Sequence, residues 1–183
     1  MKDLFIKYTL VVKFIITFLL VYSIFSFLYR GYLHLSEGSI YYPDYMTNLV
    51  AKQTRVLLES ADYRAQIIPH PDEASMKLII NEKYVARIIE GCNSVSVIIL
   101  FASFIIAFAS KIKTTAIYIF VGAILIYIAN LVRVVILSVG LYHFPWRKDI
   151  LHNVIFPGLI YGMVFLLWML WVNRIANLKS NNE

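Results

Sequence analysis

Residues 114–141 read TTAIYIFVGAILIYIANLVRVVILSVGL, and the class of the protein turns on them. Crossing a bilayer takes about 20 mostly apolar residues. This run is longer than that and carries a single charge, Arg133. Three other runs have the same character: Tyr8 to Leu28, Cys92 to Ser110 and Val154 to Val172. Lipid offers no partner to backbone polar groups, so each run is expected as a helix. Lys13 lies near the start of the first run, within snorkelling reach of the interface. The second and fourth runs carry no charge.

Composition points the same way. The chain has 183 residues, 60% hydrophobic and 15% charged, with a mean hydropathy of +0.71. Soluble domains are about 45–50% apolar and about 25% charged, so the excess apolar surface is expected to face lipid. The fold class is an all-α polytopic membrane protein with about four transmembrane helices and a small outer-face segment. A single membrane domain, 1–183, has spans at about 8–28, 92–110, 114–141 and 154–172, with an outer-face insert at 30–90. Tyr8 to Leu28 is too long for a cleaved signal's apolar core, and no small-residue cleavage site follows it.

Basic residues set the orientation. Lys2 and Lys7, Lys111 and Lys113, and Arg174 and Lys179 all fall on one side of a four-span chain. That side is expected to be cytoplasmic, with both termini, in a bacterial-type plasma (inner) membrane. The net charge of +6 therefore reflects topology rather than nucleic-acid binding. The lipid bilayer is an expected partner, and oligomeric state is open. One cysteine excludes an internal disulfide or a CxxC redox pair.

The insert has structure of its own. Asp44 to Ala61 carries Met46, Leu49, Val50, Gln53, Val56 and Leu57 near helical spacing, with Asp44 as N-cap. It reads as an amphipathic helix on the membrane or on the other helices. Met76 to Ile80 and Tyr84 to Ile89 are β-prone runs around Asn81-Glu82-Lys83 and suggest a hairpin. Pro69 and Pro71 rule out helix around His70.

With this topology three reactive residues reach one outer zone: Cys92 at the second span, Arg133 in the third and His152 before the fourth. Arg133 would lie on the order of 10 Å below the outer end of its helix. An arginine inside a span costs about 2.5–3.5 kcal/mol on insertion scales and usually has a partner or a function. An ion pair with Glu90, or snorkelling to the headgroups, would account for it without chemistry. Asn130 is one turn earlier on the same face. A cysteine beside a membrane helix is commonly just a small apolar residue. A helix start and a nearby arginine would instead favour its thiolate. A histidine at a membrane boundary is commonly interfacial; at a helix start it would stay neutral and available as a base. His143 is the competing candidate. The histidines show no metal-ligand spacing, and no cofactor is implied. Taken together, a thiolate would attack a carbonyl, a histidine would move protons and an arginine would hold the oxyanion.

Glu90-Gly91-Cys92-Asn93-Ser94, Asn130-Leu131-Val132-Arg133 and His152-Asn153 resemble, in order and spacing, the Cys, Arg and His motifs of the exosortase/archaeosortase family. The chain looks closest to that family's short F-type members, over roughly residues 60 to 175. The resemblance implies a membrane-embedded cysteine transpeptidase or protease. It would cleave the C-terminal sorting tail of an exported protein and pass the new end to an acceptor. It implies Cys92 as nucleophile, Arg133 as stabiliser of oxyanion or thiolate, and His152 as general acid/base, supported by Asn93, Asn130 and Asn153. Two departures stand out: many members have glycine where this chain has Ser94, and many have more spans. The amphipathic helix and the β segment would form a lid or dock for the tail.

A non-catalytic membrane assembly or scaffold protein of the same fold is the alternative. A transporter is disfavoured by the lack of acidic residues at mid-depth. A thiol oxidoreductase is disfavoured by the lack of a second thiol.

Overall fold

The structure, a computed structural model, describes residues 2–36, 40–108, 111–150 and 156–180. It is mostly helical. The elements are α1 (Lys2–Ser36), α2 (Tyr45–Ser60), β1 (Ala65–Pro69), β2 (Met76–Ile80), β3 (Lys83–Ile88), α3 (Val95–Ala107), α4 (Ile112–His143), α5 (Lys148–Ile150) and α6 (Phe156–Ser180).

Two stretches are long and apolar enough to cross a bilayer: Val11–Ser36 of α1, and the whole of α4. Their outward surfaces are greasy. Phe27 is 77% exposed and Phe120 68% exposed, in rows with Ile16, Leu20, Ile124 and Ile128. Monomeric soluble proteins rarely show apolar patches of this extent. This surface is consistent with a helical membrane protein.

The helices run antiparallel in chain order. Phe14 and Phe18 of α1 stack on Phe108 and Phe104 of α3, with ring centroids 4.3 and 4.6 Å apart. At the other end of α1, Tyr29 meets the residues just before α3. On α4, Gly122 lies under the ring of the fully buried Phe101 of α3. Tyr118 donates to the Leu167 carbonyl of α6 at 2.6 Å and packs on Trp171 at 4.6 Å. The start of α1, the end of α3, the start of α4 and the end of α6 therefore share one end of the bundle.

A small cap covers the opposite end. The three strands form an antiparallel sheet in the order β1-β2-β3. β2 and β3 pair from Met76↔Ile88 to Ile80↔Lys83 around the turn at Asn81-Glu82, with a register shift between Leu78 and Ile79. The outer strand β1, Ala65–Pro69, is an element that the sequence reading did not contain. β2 turns Met76, Leu78 and Ile80 inward. Two small cores result. Leu58, Ala65, Leu78 and Ile80 pack against Val135, Val139 and Tyr142 of α4. Ala51, Met76 and Ile88 pack around Val134. The last third of α4 is thus the post on which the cap is built.

Helix α2 starts where its cap dictates: Asp44 accepts from the Thr47 N–H at 3.0 Å. The buried face differs from the expected one. Thr47, Asn48, Val50, Ala51, Thr54 and Leu58 are buried, while Val56 and Leu57 are exposed. The helix rests on polar partners within the protein, so its buried stripe is partly polar. Two boundaries also shift. α1 continues to Ser36, into the expected insert, and α3 begins at Val95 rather than at Cys92. His152 and Asn153 lie outside the described residues.

A Cβ at Gly122 would sit 2.4 Å from the Phe101 ring, whereas nothing lies within 4 Å of a Cβ at Gly162. Gly122→Leu should therefore destabilise the detergent-solubilised protein by about 3 kcal/mol through overpacking. Gly162→Leu should be tolerated. Thermal unfolding of both variants checks this, and equal midpoints would contradict the α3–α4 packing.

Candidate functional site

Cys92 does not open α3. It closes a short 3-10 turn, Glu90–Cys92, that follows the sheet. Its N–H donates to the Ile89 carbonyl at 2.8 Å, and the Asn93 N–H donates to the Glu90 carbonyl at 3.1 Å. Ser94 then adopts φ 64°, ψ 0°, the left-handed region, and only after it does α3 begin. Non-glycine residues rarely take this conformation, at a cost of about 1–2 kcal/mol. Here the Ser94 hydroxyl donates to the Asn93 carbonyl at 2.6 Å.

The fully buried Asn93 anchors this break. Its Nδ2 donates to the Tyr29 hydroxyl of α1 at 2.8 Å and to Thr47 Oγ1 of α2 at 3.2 Å. Its Oδ1 accepts from the Val95 N–H at 3.0 Å and so caps α3. One side chain ties three helices together.

Asn130 does the same from α4. Its Nδ2 donates to the Cys92 carbonyl at 2.7 Å, and its Oδ1 accepts from Arg133 Nη1 at 3.3 Å. The cysteine backbone and the guanidinium are therefore held by one amide. Arg133 Nε is buried and has no hydrogen-bond partner among the described residues. Among those residues, the ion pairs are Arg55–Glu59 and Arg87–Glu73, and Glu90 is exposed. The Arg133–Glu90 pair that would account for the arginine without chemistry is not among them.

Cys92 and Arg133 line a single cavity of about 450 Å³. This lies within the usual range of ligand sites, about 300–1,000 Å³. Residues Tyr84 to Ile88 of β3 form one wall. Val134, Leu137, Ser138 and Leu141 of α4 form another, and Lys148 of α5 completes the rim. Arg87, paired with Glu73, and Arg133 and Lys148, which make no ion pair among the described residues, bring cations to the lining, with no acidic side chain among its described residues. The cysteine is free and half-buried.

Of the expected site residues, Cys92, Asn93, Asn130 and Arg133 come together, while His152 and Asn153 are not described. The rival His143 is exposed, and its Nε2 is 3.0 Å from the Tyr63 hydroxyl. It is not part of the cavity lining. Tyr29, Thr47, Arg87 and Lys148 were not foreseen. Only Arg87 carried a signal: it lies in the strand that runs directly into Glu90-Gly91-Cys92. Among the described residues no cluster of His, Cys, Asp or Glu could hold a metal ion. No family model, no curated protein and no solved structure matches this chain.

The left-handed Ser94 gives a direct test. Ser94→Gly should leave stability within about 0.5 kcal/mol, since relief of strain offsets the lost hydroxyl bond. Ser94→Val should cost about 2 kcal/mol, because a β-branched residue resists positive φ. Equal unfolding midpoints for the two variants would mean that the turn is built differently.

Proposed function

We propose that this chain is a four-span membrane cysteine transpeptidase or protease of the exosortase type. It cleaves the C-terminal sorting tail of exported proteins at the outer face of a bacterial-type plasma membrane. The observation that carries this reading is the cavity shared by Cys92 and Arg133, with Asn130 bridging them.

Cys92 is the nucleophile, His152 the general acid/base and Arg133 the electrostatic stabiliser. His152 takes the thiol proton as sulfur attacks the scissile carbonyl. The C–S bond forms, and negative charge moves to the carbonyl oxygen. A guanidinium with an unfilled N–H is suited to receive it. His152 then gives its proton to the leaving amine as the C–N bond breaks, leaving a thioester. An acceptor amine or water attacks the thioester and restores the thiol.

Three features support this. Arg133 Nε–H is buried without a partner, and a buried donor needs an acceptor. Lys148 lines the cavity four residues ahead of His152, so at most about 14 Å of chain separates their α-carbons. α3 has 13 residues and rises about 20 Å, less than the roughly 30 Å of a hydrocarbon core. With its inner end at the cytoplasmic boundary, Cys92 stays at or just below the outer headgroups. A tail with its own transmembrane helix would present its cleavage point at that depth. α6, with 25 residues, supplies the fourth span.

In intact cells a membrane-impermeant maleimide should label Cys92, and Arg133→Ala and His152→Ala should each slow the reaction several-fold. Cys92→Ala should abolish release of the tail from an exported reporter ending in a motif, an apolar span and a basic end. Labelling indifferent to both variants, together with release unaffected by Cys92→Ala, would replace this reading with the scaffold. In a Cys92→Ala background, cysteines at Glu82 and Trp146 should label from outside, and one at Lys113 only after permeabilisation. A different pattern would refute the four-span topology.

A further inference from the structure

Side chains of successive strand residues point to opposite faces of a sheet, so a space above one face meets every second residue. The cysteine cavity meets Tyr84 to Ile88 in unbroken succession, and past the irregularity at Val85, where pairing steps from Ile79↔Tyr84 to Leu78↔Ala86, Ala86, Arg87 and Ile88 are still consecutive. Consecutive residues share one space only where it runs along the edge of the strand, where backbone N–H and C=O groups point. β3 is an edge strand, with β2 on its other side.

The opposite wall has matching length. Arg133 to Leu141 of α4 rises about 12 Å, and Tyr84 to Ile88 spans about 14 Å. The two walls run antiparallel: Ile88 packs with Val134 at one end, and Lys83 lies over the Tyr142 ring at the other. The cavity is therefore a slot, with Cys92 and Arg133 at the Ile88 end. Its length suits about four residues of extended chain at about 3.3 Å each. Arg133 and Lys148, unlike the Glu73-paired Arg87, make no ion pair among the described residues, and their charge selects against a basic segment.

We infer that the substrate binds as an added strand: an extended, neutral or acidic peptide pairs its backbone with the free edge of β3 and ends at Cys92. This rests on the transpeptidase reading and adds its recognition mode. A tail that enters the membrane after the cleavage point fills the slot with the residues before the scissile bond. That segment runs parallel to β3, from Tyr84 toward Ile88. Backbone pairing supplies the affinity and alternate side-chain positions the selectivity, as in other strand-addition sites. Anchoring of the tail in the same membrane raises its effective concentration, so weak pairing suffices.

The opposite edge is a built-in comparison. Arg64 to Ile68, again consecutive, border an open groove of about 730 Å³ along β1. That groove mixes Arg55 and Arg64 with Glu59 and Asp62 and contains no cysteine.

The test uses the full chain in lipid nanodiscs and two probes. One is an acetylated tetrapeptide of alternating valine and threonine ending in a chloromethyl ketone. The Cys92 thiolate displaces its chloride to form a thioether. The other is the same tetrapeptide as an unreactive amide, captured by p-benzoylphenylalanine placed at Tyr84 or at Gln66. Each probe is N-methylated at one backbone nitrogen at a time. Strand pairing predicts loss of alkylation and of Tyr84 capture by about fivefold to tenfold at alternate nitrogens and little change between them. Period-two capture at Tyr84 with an inert Cys92 would uphold the docking mode and sink the catalytic reading. A profile without alternation, capture only at Gln66, or no capture at either position would overturn the inference.

Discussion

Two buried side-chain amides hold an interrupted backbone in place, and the rest of the molecule is arranged around them. Between Ile88 and Val95 the chain is neither strand nor α-helix, and it carries a left-handed serine. Irregular backbone at the end of an apolar bundle leaves polar groups that an apolar environment cannot satisfy, at about 1–3 kcal/mol for each orphan. Asn93 fills one such need at the Val95 N–H, and Asn130 another at the Cys92 carbonyl. Each amide is itself satisfied only when its other partners stand close by: Tyr29 and Thr47 for Asn93, Arg133 for Asn130. The network closes only when α1, α2, α3 and α4 have one mutual arrangement. Apolar packing alone fixes such an arrangement less sharply, because helices slide past one another on greasy faces at low cost.

The position of the sheet follows from the same break. The 3-10 turn is too short to carry the chain away from α4, so β3 runs alongside that helix, and the cap buries Val134, Val135 and Val139. A free strand edge is normally an aggregation hazard. Here the β3 edge faces α4 across a slot whose far end holds Cys92, and the charges of Arg133 and Lys148 discourage a second basic strand from closing it. The cap thus does two things at once. It completes the cores around the end of α4, and it leaves one hydrogen-bonding edge open beside the thiol.

What could be read from the sequence divides along physical lines. The long apolar runs, the Asp44 cap and the grouping of Cys92, Asn130 and Arg133 were legible, because each is a local pattern or a costly residue in an apolar setting. The buried face of α2 was not. Apolar periodicity chose Val56 and Leu57, but the helix packs on a partly polar surface: Thr47 accepts from Asn93 and Asn48 donates to the Tyr42 carbonyl, while Thr54 is buried with its hydroxyl unpaired among the described residues. β1 was missed because it is short, ends in Pro69 and shows little alternation; only its pairing with β2 makes it a strand. Arg87 and Lys148 were missed because a cation in an extramembrane segment is ordinary, and only the fold brings both to the same slot as Cys92.

The network of amides does not by itself favour chemistry over support, since a scaffold would need Asn93 and Asn130 just as much. Arg133 separates the two readings. Its Nη1 bond to Asn130 satisfies the oxygen of the amide whose nitrogen holds the Cys92 carbonyl, a task for which any donor would do and no charge is needed. A half-buried charge without a carboxylate among the described residues is a net cost to folding. A supporting role would be served as well by a neutral side chain at that place. On the proposed reading, the unfilled Nε–H and the cysteine that borders the same slot give the charge a use, because both suit a carbonyl oxygen that becomes negative when sulfur attacks. A strand laid on the β3 edge would bring such a carbonyl to that end of the slot, where the sheet, the amide bridge and the arginine converge on one bond.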